Sequence, residues 1–94
     1  MSLEIQIPSQ KALNNLCKLA CSEDKPIMMD YWLDSLNNKV LIGVKDNEEK
    51  MLVRSSEEYT SPISKIYKVG EEFIILTENS IYLVSSKIST RKIN

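Results

Sequence analysis

Apolar residues recur along this chain in different rhythms, and each rhythm implies a different element. Leu3, Ile5 and Ile7 alternate with Glu4 and Gln6, the period-two pattern of a strand. Residues 1–8 are therefore read as an extended arm or edge strand, punctuated by Pro8. From Gln10 to Cys21 the apolar positions are Ala12, Leu13, Leu16, Cys17, Leu19 and Ala20. Spacings of three and four put most of them on one stripe, which predicts an amphipathic helix over residues 9–22. Ser9 is placed to cap its first turn, and Pro26 breaks the chain after a polar stretch.

Residues 26–86 form a β-rich body. Its first part, PIMMDYWLDSL, fits two templates. As a helix it aligns Met28, Met29, Trp32, Leu33 and Leu36 behind an Asp24 cap; as a strand it puts Ile27, Met29, Tyr31 and Leu33 on one side. The strand is preferred, because Asn37-Asn38 suits a two-residue turn and leads into KVLIGVK. That segment pairs with KMLVRS across Asp46-Asn47-Glu48-Glu49. After the polar connection SSEEYTSP come ISKIYKV, EFIILT and SIYLVSS, separated by Gly70-Glu71 and Glu78-Asn79. Those breaks suit tight antiparallel turns. Apolar residues occupy both faces of these strands, and the pairing expected sets Tyr67 against Tyr82. Residues 87–94 read as a polar tail that frays.

One helix followed by a five- or six-stranded antiparallel meander is an α+β arrangement. A curled sheet or small barrel, covered by the helix, is the expected form, with residues 1–94 as a single domain.

Chemistry enters mainly by exclusion. The chain has 94 residues and no histidine, so imidazole acid–base catalysis, Ser-His-Asp and Cys-His arrangements and most zinc sites are removed. Gly43 and Gly70 stand alone, so there is no glycine-rich phosphate loop. Cys17 and Cys21 are the only thiols; a helical turn gives poor disulfide geometry, and two small side chains packed under the sheet are expected. No cofactor and no metal are expected. Asp30 and Asp34 would stand roughly 13 Å apart on a strand, too far for paired-carboxylate catalysis, and read as a solvated face.

Two candidate surfaces remain. Glu57, Glu58, Tyr59, Thr60 and Ser61 form an acidic, hydroxyl-bearing loop of the kind that carries binding function. Ser61-Pro62 also has the minimal form of a proline-directed phosphorylation site. The competing reading is a simple connection in which Thr60 and Ser61 bond locally to backbone. Lys65, Tyr67, Lys68, Phe73 and Tyr82 interleave cations with aromatics, as a single-strand nucleic-acid face would. Twelve basic and thirteen acidic residues give a net charge of −1, which opposes phosphate binding.

The sequence thus favours a non-enzymatic interaction or assembly module. Its expected partner is another protein or a second copy in a homo-oligomer. A small single-stranded nucleic-acid-binding barrel is the alternative, and an enzyme a distant third. No apolar run is long enough to cross a bilayer and no leader or lipidation signal is present, so an intracellular, cytoplasmic setting is expected.

Overall fold

The computed structural model describes residues 6–93; most of the alternating arm at 1–8 lies outside the described residues. The helix α1 spans Gln10–Glu23. Ser9 caps it, its Oγ accepting the Ala12 N–H at 3.2 Å, and Asp24 ends it in the left-handed conformation (φ 54°). Two short elements follow, β1 (Ile27–Met28) and α2 (Trp32–Leu36), then β2 (Leu41–Val44), β3 (Lys50–Val53), β4 (Ile63–Val69), β5 (Glu72–Thr77), β6 (Ile81–Ser85) and β7 (Ser89–Lys92).

The class is α+β, as the pattern of the sequence predicts. The hairpin β2–β3 and the meander β4–β5–β6 are antiparallel as expected. Gly70 takes φ 60° in the first meander turn, a conformation that costs glycine nothing. The strands divide into two mixed sheets, ordered β1-β6-β5-β4 and β3-β2-β7, each with one parallel pair.

Residues paired across neighbouring strands share a face, so the register assigns every side chain of the larger sheet. Ile74, Leu76, Ile81 and Leu83 face α1, where they bury Ala12, Leu16 and Trp32. Ile75 and Val84 face the smaller sheet and pack with Val40, Ile42, Leu52, Ile88 and Tyr31. The larger sheet is therefore the middle layer of three. Being covered on both sides, its inner strands read as continuous apolar runs rather than as alternation.

Four expectations change. Residues 26–36 are not one strand. Only Ile27 and Met28 pair, parallel to Ile81 and Tyr82, and the chain then winds into α2. A helical turn lets Trp32 and Leu36 join the α1 core, while the Ser35 hydroxyl accepts the buried Ser85 N–H at 2.9 Å. Asn37-Asn38 is accordingly no hairpin turn; it closes α2, with the Asn37 and Lys39 N–H groups both donating to the Asp34 carbonyl and Asn38 at φ 59°. The stretch read as a fraying tail instead anchors at Ile88, which is buried, and supplies β7 alongside β2. Cys17 and Cys21 are exposed. At about 100° per residue, the stripe through Ala12 and Leu16 turns both thiols away from the sheet.

Leu83 is fully buried between α1 and the middle sheet, whereas Leu33 is 46% exposed. Leu83→Ala is expected to cost about 2–5 kcal/mol of stability, and Leu33→Ala less than about 0.5 kcal/mol. Urea denaturation of the two variants beside the parent chain checks the difference.

Candidate functional site

The loop between β3 and β4 is built on one hydroxyl. Ser55 Oγ accepts the N–H groups of Glu57 (3.2 Å) and Glu58 (3.1 Å), a local turn of the kind serine favours. The chain then returns along β3. Val53 and Tyr59 form an isolated antiparallel bridge, the Thr60 N–H donates to the Leu52 carbonyl at 2.9 Å, and Thr60 Oγ1 accepts the Leu52 N–H at 3.1 Å. Thr60 Oγ1 in turn donates to the Ser61 carbonyl at 2.8 Å. The buried Thr60 is thus part of the fold. Ser61 Oγ accepts from Asn79 Nδ2 at 3.3 Å, which ties the loop to the last meander turn.

Glu58 belongs to a charge cluster that also takes in the acid pair read as solvated. Arg54 Nε donates to Asp34 Oδ2 at 2.7 Å, and Arg54 Nη1 lies 3.5 Å from Glu58 Oε2 and 3.9 Å from Asp30 Oδ2. The α2 turn makes this possible by bringing Asp34 to the end of β3. The Arg54 guanidinium also sits 5.2 Å from the centre of the Tyr31 ring, and Tyr31 meets Tyr82 edge-on at 5.4 Å. The hydrogen bond to Asp34 raises the pKa of Arg54 further, against a smaller opposing effect of desolvation. Burial raises the pKa of both tyrosines above the ordinary value near 10, and Asp30 adds to the rise in each.

On the outer face of the smaller sheet the loop walls a cavity of about 410 Å³ lined by Lys45, Met51, Val53, Ser55, Ser56, Tyr59 and Ile93. The register puts Gly43, Met51 and Arg91 on this face together. Glycine at position 43 leaves room here: a Cβ would stand 2.6 Å from Ile93 Cδ1 and 3.0 Å from Val53 Cγ2, so the Ile93 side chain would have to shift. The absence of a Cβ lets Ile93 lie across β2 and form one side of the floor. Tyr59 is 58% exposed and stands at the margin.

Of the loop candidates, then, Tyr59 lines the cavity, Glu57 lies exposed beside it, and Glu58, Thr60 and Ser61 are held by partners within the fold. Met51, Val53, Ile93 and Lys45 escaped the sequence reading. Their one signal was the second apolar face of the β2–β3 hairpin, and Ile93 gave none until β7 was in place. The nucleic-acid candidates divide. Lys65 and Tyr67 share the α1 side of the middle sheet with Leu76 and Ile74, while Lys68, Phe73 and Tyr82 share the opposite side with Val84 and Ile75. Tyr67 and Tyr82 therefore do not meet, being separated by β5 and directed to opposite faces; Tyr82 packs on Tyr31 instead.

No protein-family model matches this chain, and neither the curated proteins nor the solved structures contain a significant match to it.

Arg54 joins the loop to α2, so Arg54→Met is expected to speed hydrogen exchange at the Glu57 and Glu58 amides several-fold, while leaving the Ile75 amide in the middle sheet unchanged. Amide-resolved exchange by NMR checks this. The raised tyrosine pKa values favour the neutral phenols in the fold, so their stabilising contribution is complete below about pH 10 and is lost as pH rises through the higher folded values. Urea midpoints measured upward from about pH 9 should therefore fall, and fall less steeply in Tyr82→Phe.

Proposed function

We propose that this chain is a non-enzymatic interaction module, taking a segment of a protein partner, or in the simplest case a second copy of itself, on the outer face of the smaller sheet beside Tyr59. The observation that carries this reading is the cavity of about 410 Å³ over Met51, Val53 and Ile93. That size lies within the range of ligand-binding clefts, and its floor is apolar with a tyrosine at the edge, the residue type favoured where one end of a contact is dry and the other wet. The polar groups lining it are an ammonium and three hydroxyls. Among the described residues that line it there is no carboxylate, thiolate or imidazole base, which favours binding over bond-making. The loop that forms the wall is held by Ser55, Thr60 and Arg54, so the surface exists before a partner arrives and less ordering entropy opposes association.

Selection of a random displayed-peptide library on the immobilised protein tests the reading. Enriched peptides are expected to lose binding to Val53→Glu and keep it with Leu33→Glu, a change at an exposed position of α2. Enrichment insensitive to Val53→Glu, or no enrichment together with a monomer in light scattering at every concentration, overturns it.

A further inference from the structure

The cavity has a chemical polarity that the proposed function leaves open. Its polar rim consists of the Lys45 ammonium and the hydroxyls of Ser55, Ser56 and Tyr59. Among the described residues none of these four groups donates a hydrogen bond or ion pair to another side chain or to backbone; Ser55 Oγ only accepts, from Glu57 and Glu58. The rim is therefore a set of donors without acceptors. Arg91, in register with Gly43 on the same face, adds a second cation nearby, whereas Lys92 is occupied by Asp46 at 3.5 Å. Glu57 is exposed and lines no part of the cavity, and Glu58 is turned onto Arg54. A group seated here meets donors and a cation at the rim, and apolar surface from Met51, Val53 and Ile93 beneath.

Resting on the reading of this face as a protein-docking surface, we infer that its occupant is a peptide segment carrying a carboxylate next to a bulky apolar side chain, with the carboxylate on Lys45 and the apolar group over Val53 and Ile93. Two features set this orientation. Among the described residues the ammonium is the only charged group lining the cavity, so an acidic residue gains there what a basic residue would lose. Arg91, in register with Gly43 on the same face, adds a second positive charge that favours the same orientation. A cavity of about 410 Å³ has room for one large side chain together with its acidic neighbour, and the hydroxyls can close on the remaining carboxylate oxygen as charge-assisted donors.

The test uses the isotopically labelled full chain and three probes followed by amide NMR. These are an acetylated, amidated Leu-Asp-Phe tripeptide, its Leu-Lys-Phe counterpart, and octanoate as a free amphiphile with the same head group. The aspartyl peptide is expected to move the amides of Lys45, Ser55, Ser56 and Tyr59 and to bind on the order of tenfold more tightly than the lysyl peptide. Lys45→Glu should invert that preference, and octanoate should bind more weakly than the aspartyl peptide. Equal binding of the two peptides at these residues overturns the carboxylate inference and leaves the docking surface standing. Octanoate binding as well as the aspartyl peptide overturns the assignment to a peptide. If no probe moves these amides, the inference and the docking reading fall together.

Discussion

Everything in this molecule follows from the need to cover both faces of one sheet. Ile74, Ile75, Leu76, Ile81, Leu83 and Val84 are all essentially removed from solvent, yet they alternate between two faces. A single amphipathic helix can shield only one side. The second side is shielded by a separate sheet, and that sheet must bring its own inner face of Ile42 and Leu52 to the contact. At about 25 cal/mol per Å² of apolar area removed from water, these two interfaces supply the main driving force for the fold. α2 helps to close the layers at the β6 side, with Trp32 entering one core and Tyr31 the other.

The same demand explains why a binding-sized cavity arises where it does. The smaller sheet is three strands wide and must itself expose one face. Met51 and Val53 lie there in register with Gly43 and Leu41, beside the loop after β3 and Ile93. Met51 is buried, at 3% exposure, although it belongs to neither of the two main core clusters. A surface so covered at its centre and open at its rim is what distinguishes a recess from a mere exposed patch.

Much of the strand layout was legible from local signals. Gly70-Glu71 and Glu78-Asn79 carry turn chemistry, and the hairpin through Asp46–Glu49 is bounded by apolar runs, so antiparallel neighbours could be assigned from sequence. The parallel pairs could not. Ile27 and Met28 look like the start of a longer strand until Trp32 is required in the α1 core, and Ser89–Lys92 carry polar and charged side chains that read as solvent because a sheet edge permits them. The site suffered the same asymmetry. Tyr59 stood out as an aromatic in a polar loop, but its floor depends on a distant strand bringing Ile93 across Gly43. Similarly, the charges of Asp30 and Asp34 gave no hint of Arg54, which is near them only because α2 turns the chain.

The pairing of β2 with β7 joins residues about half the chain apart, while β2–β3 and β4–β5–β6 join immediate neighbours. Contacts between distant segments close slowly, because loop entropy must be lost before they form. Pairing β7 with β2 therefore costs more loop entropy than closing the β2–β3 hairpin. A strand lent by a second copy would meet the same flank of β2 that β7 covers, so strand exchange between copies is the misassembly to which this topology is open.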